Sequence, residues 1–310
     1  MGKFYDHLPG TLIPWLMDQK VFWVATAPLA EDGHVSLSPK GYEETMHVII
    51  ETEDGESIDS QTITPDSAVN FKKARSTTVW YEDLTGSGAE TIAHARENGR
   101  ITIMFNAFEG PPNILRLFGT AKVYEFGTPE YEKLLPAEKR QPGSRSVIWV
   151  DVHKVGTSCG YSIPFFSYKG PRNRLRKFAA VKEQEDYDHY ISCVAELENS
   201  SDTTSNGSAP PAVSDLPPEK GLKNYWRFRN PKSIDDVPAV QTAFESTKPL
   251  GDWRVRGAKY YVPDDESIPS KDHHIIIERG LISDAGKLLT GFGIGVLATT
   301  LLYRWAHGAH

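Results

Sequence analysis

The sequence predicts a mainly β protein, a β-barrel carrying helical additions. Two observations point there. The first 180 residues hold seven short runs rich in Val, Ile, Thr, Phe, Tyr and Trp, each bounded by turn residues. Between them only two segments have the caps expected of helices, too few for a parallel doubly wound sheet, which needs a helix after nearly every strand.

Taken in order, strands are expected at 21–27, 35–38, 47–50, 78–81, 101–105, 114–124 and 147–152. A first helix fits 11–19, with Pro14 in its opening turn. The second follows Val79-Trp80-Tyr81-Glu82-Asp83-Leu84-Thr85-Gly86-Ser87-Gly88-Ala89-Glu90-Thr91. Ser87 and Glu90 stand in capping-box spacing, which predicts a helix over 88–98 with Ser87 as N-cap, Arg96 near its negative end and Gly99 at C′. Free amides at such a start, with Gly86 and Gly88 permitting close approach, suit an anion and hence a phosphorylated small-molecule ligand. The same residues also read as a well-capped surface helix behind a tight turn.

Composition narrows the function classes. With 39% hydrophobic residues in 310, the chain can bury a substantial core. A formal charge of −7 argues against nucleic acid as a partner, which needs a basic face. Cys159 and Cys193 allow at most one bridge and show no zinc spacing, so a reducing compartment fits. No apolar segment follows Met1 before Pro9, so no secretory signal is expected, and the sequons at Asn199 and Asn206 read as chance matches. There is no P-loop, no H-E-x-x-H and no G-x-S-x-G. Two partial dinucleotide fingerprints, at Gly86-Ser87-Gly88 and at Gly291, Gly293 and Gly295, lack the later acidic residue.

The expected organisation is a barrel domain over 1–178, a helix over 179–197, a Ser- and Pro-rich disordered linker over 198–220, a peripheral segment over 221–279 and a hydrophobic tail over 280–305. The tail holds no charge from Leu288 to Tyr303, is bounded by Lys287 and Arg304, and has a Gly291/Gly295 pair suited to helix contact in lipid. It reads as a C-terminal membrane anchor, leaving the rest facing the cytosol, with a buried closing helix as the alternative.

The segments Gly33-His34-Val35-Ser36-Leu37-Ser38-Pro39-Lys40-Gly41, Asp83 to Thr91, Asn98-Gly99-Arg100-Ile101-Thr102-Ile103-Met104-Phe105, Ile114-Leu115-Arg116-Leu117-Phe118-Gly119 and Ser158-Cys159-Gly160-Tyr161-Ser162-Ile163-Pro164 resemble, in order and spacing, the pyridoxamine 5′-phosphate oxidase-like FMN-binding split-barrel family. The resemblance spans about residues 10–178. It implies a six-stranded split barrel, a homodimer with FMN at the subunit interface, and FMN-dependent oxidoreductase activity. Lys40 matches a lysine beside the flavin, Tyr81 an aromatic on the strand entering the phosphate loop, and Ser87 the serine of that loop. With Asp83, Thr85, Gly86, Gly88, Thr91 and Arg116 these form the expected cofactor-binding set. One departure stands out: the Arg-Lys pair that follows the serine in the oxidases is Gly88-Ala89 here. Phosphate would then rest on backbone amides, Ser87, Thr91 and Arg96 or Arg116. The alternative implied is a non-catalytic scaffold, or a binder of a phosphorylated ligand such as pyridoxal phosphate.

Other residues receive plainer readings. Arg116 interrupts an apolar strand and is expected to reach a ligand or pair with Asp83. Cys159 reads as a buried structural thiol, and the basic cluster Lys169, Arg172, Arg174, Arg176 and Lys177 as a solvated helix face.

Overall fold

A computed structural model of the chain describes residues 2–200 and 217–252. Ten strands follow one another: β1 (Lys3–Tyr5), β2 (Leu8–Pro9), β3 (Phe22–Thr26), β4 (Ser36–Lys40), β5 (Met46–Glu51), β6 (Ser57–Asp59), β7 (Arg75–Leu84), β8 (Arg100–Asn106), β9 (Ile114–Glu125) and β10 (Ser144–Ser158). All seven predicted strands are present. The strict alternation of buried and half-exposed residues along β3 and β5 is the pattern that one-sided burial imposes on a pleated strand.

The sheet is antiparallel throughout, ordered β4-β3-β8-β9-β10-β7-β5-β6, with β1 paired to β10 and β2 to β7. A run of six central strands, from β3 to β5 along that path, is extended by four short ones, so the strand count exceeds the six expected. The sheet is also curled. A flat one would hold β4 and β7 roughly 24 Å apart, at about 4.8 Å per strand. Instead Lys40 Nζ on β4 lies 3.1 Å from Asp83 Oδ1 on β7, and the Phe22 and Tyr81 rings meet edge to face at 5.4 Å. In the ladders Lys40 is level with Phe22, Phe105, Leu115 and Thr157, whereas Asp83 is level with Ser146. That offset, about ten residues along β10, is the stagger that rolling a sheet into a barrel demands.

The barrel is filled by Phe22, Val24, Val48, Ile50, Val79, Ile103, Phe105, Leu115, Leu117 and Ile148, all buried. Each contributes roughly 1.5–3 kcal/mol relative to exposure. Where β9 crosses β10 there is no room for a side chain at Gly119: a Cβ would sit 2.4 Å from the Val150 side chain and 2.7 Å from the Asp151 carbonyl oxygen.

Helices cover the barrel's ends and one flank. They are α1 (Ile13–Met17), α2 (Glu90–Glu97), α3 (Pro129–Leu134), α4 (Arg174–Ser200) and α5 (Leu222–Arg229). Pro14 lies in the first turn of α1, and Gly99, at φ +72°, follows the end of α2 as expected. The start of α2 differs from expectation. It begins at Glu90 rather than Gly88, its N-cap is Ala89, and no side chain caps it. The helix expected at 179–197 lies within the longer α4. Within the expected linker, residues 201–216 lie outside the described residues, as do 253–279 and the tail 280–305. Among the described residues no helix is long and apolar enough to cross a membrane.

Residues 221–252 join the same core rather than standing apart, with Leu222, Trp226, Ala239, Val240, Ala243 and Leu250 all buried. Their anchors are carboxylates. Glu125, buried at the end of β9, accepts from the amides of Gln241 (2.9 Å), Thr242 (2.7 Å) and Ala243 (2.7 Å), and from Arg96. Asp186 of α4 accepts from the amides of Leu222 and Lys223, capping α5 from a neighbouring helix because its own N-cap position is Gly221.

Between α4 and β7 lies a buried polar cluster. Arg140 donates to both Glu183 oxygens (2.8 and 2.6 Å) and to the Ser144 carbonyl (2.8 Å), while the Gly143 amide donates to Glu183 (2.7 Å). Glu82 accepts from the Gln141 amide at 2.7 Å, and burial pushes its carboxyl up to about 7. A proton held more tightly when folded stabilises the fold fully at low pH, and that contribution is lost as pH rises from about 4.5 to 7. Glu82→Gln, which keeps a neutral group, is therefore expected to flatten the stability profile by roughly 2–3 kcal/mol over that window. Denaturant unfolding at pH 5 and pH 8 tests this, and parallel profiles for the two proteins would contradict it.

Candidate functional site

The site is built on β7. Its side chains alternate between the barrel interior, which takes Val79, Tyr81 and Asp83, and the flank under α4, which takes Glu82. Tyr81 is fully buried, and burial raises its phenol well above the ordinary value. Its hydroxyl faces Thr91 without a hydrogen bond of normal geometry.

Asp83 is the hub. Its buried carboxylate accepts from Arg145 Nε at 2.8 Å and from Lys40 Nζ at 3.1 Å. Burial works to raise this carboxyl, but the two cations, Arg145 foremost, outweigh it and hold the group below the usual carboxylate range. Two cations on one anion leave the triad itself with a net positive charge. Lys40 keeps about a quarter of its side chain exposed, whereas Arg145 is buried and its Nη1 has no acceptor among the described residues. Ser146 Oγ, level with Asp83 on the same face, is likewise buried without a partner among the described residues.

Two residues beyond Asp83 the strand gives way to the 85–90 loop. Thr85 is buried: its amide and hydroxyl both donate to the Gly143 carbonyl (2.7 and 2.6 Å), and its oxygen accepts from Trp226 Nε1 at 2.7 Å. Gly86 O accepts from Asn230 Nδ2 at 3.1 Å. Ser87 is exposed and caps nothing, and the amides of Gly86, Ser87, Gly88 and Ala89 find no acceptor among the described residues. Thr91 is buried on the first turn of α2. The expected reciprocal cap fails because Glu90 turns back over Gly88, where a Cβ would lie 2.2 Å from its Oε2, and accepts from the Ile234 amide at 3.3 Å.

The structure therefore brings Lys40, Tyr81, Asp83, Thr85, Gly86, Ser87, Gly88 and Thr91 to one end of the barrel. Arg116 is not among them. It alternates with the inward Leu115 and Leu117, so it points outward, level with Met104, Trp23 and Pro39, and donates to Ser158 Oγ at 3.2 Å. It does not pair with Asp83. Arg96 donates to Glu125 and to the Ala239 carbonyl. Cys159 is exposed, contrary to the buried thiol expected. Arg176, from the basic cluster, is buried against Tyr42 and pairs with Glu44 instead of lying on a solvated face.

Sequence reasoning missed Arg145, Trp226 and Asn230. Arg145 opens a strand with no distinguishing neighbour, and Trp226 and Asn230 lie more than 130 residues beyond the loop they touch. A cleft of about 430 Å³ between α3, α4 and residues 248–252 includes Arg140 of the polar cluster and none of the residues gathered at the β7 end.

No protein-family profile matches the chain. Among solved structures it is similar to HupZ of Group A Streptococcus (22% identity, 47% of this chain and 88% of that one, TM-score 0.30). It is likewise similar to a protein of the pyridoxinephosphate oxidase family from Clostridium acetobutylicum (11%, 48% and 89%, TM-score 0.27). A third is an FAD-binding protein from Mesorhizobium loti (12%, 51% and 97%, TM-score 0.29). A curated relative, the pyridoxamine 5′-phosphate oxidase family protein ustO of Aspergillus flavus, is 37% identical over 166 residues, which are 53% of this chain. The chain spans 57% of that relative's length. Over about half of its length the chain is thus similar in sequence to a protein of the pyridoxamine 5′-phosphate oxidase family.

Proposed function

We propose that the protein binds FMN at the Lys40–Asp83–Arg145 end of the barrel and acts as an FMN-dependent oxidoreductase. One observation carries this reading: a net positive triad stands two residues before a loop whose amides, like one Arg145 nitrogen, have no acceptor among the described residues. Lys40 and Arg145 suit the negative charge that a reduced flavin ring carries, and the amides of 86–89 suit its phosphate. When bound, the flavin supplies the hydride or electron transfer. The chain's own residues bind and orient it.

The residues fit the ring side better than the phosphate side. Glu90 over Gly88 puts a carboxylate where oxidases of the family carry cations, and this favours the second reading, a scaffold or a binder of pyridoxal phosphate. Incubating the full chain separately with FMN and pyridoxal phosphate, then desalting, distinguishes the readings. Retained flavin absorption supports the proposal. Retention of pyridoxal phosphate alone, or of neither compound, would refute it.

A further inference from the structure

We propose that the C-terminal segment, through Trp226 and Asn230, positions the 85–90 loop to grip phosphate in place of the two cations absent beside Ser87; this rests on the FMN reading above. A loop built without positive side chains attracts an anion only if its amides point toward the ligand and its carbonyls point away. Here the segment takes two of the loop's oxygens. Asn230 Nδ2 donates to Gly86 O at 3.1 Å, and Trp226 Nε1 donates to Thr85 Oγ1 at 2.7 Å.

The consequence follows from peptide geometry. In a planar trans peptide the C=O and N–H point in opposite directions, so a bond drawn to Gly86 O turns the Ser87 N–H away from the segment. Ser87 is exposed, which leaves that amide on the accessible side, and the hydrogen bond polarises the peptide so that its N–H carries more positive charge. Thr85, pinned by its amide and hydroxyl to Gly143 O, fixes the loop's root. Both donors are held rigidly. Trp226 and Asn230 are fully buried, and the segment carrying them is tied down independently at Asp186 and Glu125. The cationic pair of the oxidases is thus exchanged for two neutral donors supplied from 140 or more residues away in the chain.

The test compares FMN with riboflavin, which has the same ring and no phosphate, by equilibrium binding to the full chain and to Asn230→Leu and Trp226→Phe. Each variant removes a donor while keeping most of the volume. The expected result is about fivefold to tenfold weaker FMN binding for Asn230→Leu and a smaller loss for Trp226→Phe, with riboflavin affinity unchanged. Equal losses for both compounds would assign these residues a purely structural role and overturn the proposal. So would FMN affinities in both variants equal to that of the wild type. Wild-type protein that takes up no FMN instead overturns the cofactor reading, and this proposal with it.

Discussion

Glu183→Leu is expected to destabilise the fold by about 3–5 kcal/mol, because it leaves the Arg140 guanidinium buried without its counter-charge. The pair is 3% and 0% exposed, and Glu183 also accepts the Gly143 amide. Arg140→Met should cost a similar amount for the mirror-image reason. The double replacement should cost less than the sum of the two, since two apolar chains do not leave a stranded charge. It will not be neutral, because the Gly143 amide and Ser144 carbonyl each lose a partner. Denaturant unfolding of the four proteins yields the coupling, and simple additivity would show that the pair does not act as a unit.

Trp226→Ala should be comparably severe, about 3–5 kcal/mol for truncating a fully buried indole. It removes packing against Phe126 and the bond to Thr85 together. The expected signature is local. Amide exchange should accelerate across 222–243 and at Thr85, while the barrel strands β8 and β9 keep their protection. Uniform loss of protection would mean that the segment and the barrel unfold as one.

Much of the barrel was legible because burial leaves a period-two imprint on strands such as β3 and β5, and because β-branched and aromatic residues crowd β7 to β10. Strands β1, β2 and β6 escaped, being two or three residues long with no period to detect. The short helix α3 and the polar α5, Leu-Lys-Asn-Tyr-Trp-Arg-Phe-Arg, gave equally little signal. Parity already separated Arg116 from Asp83: its place between two inward leucines put it on the outer face. The capping box failed for a reason no local pattern contains. Glu90 has the right spacing to Ser87, but the Ile234 amide, 144 residues on, captures its carboxylate. Lys40 was expected beside a flavin from family likeness, whereas its partnership with Asp83 depends on β4 meeting β7 through closure of the barrel. Long-range contacts of this kind decide which polar groups are left for a ligand.

The role proposed for this barrel end, with its cationic triad and loop amides that have no acceptor among the described residues, is to hold a phosphorylated flavin. Titrating FMN with the purified full chain while following flavin fluorescence tests it most directly. Saturable change reaching one flavin per chain, weakened by Lys40→Met, is the predicted result. A flavin signal unaltered by excess protein would contradict it.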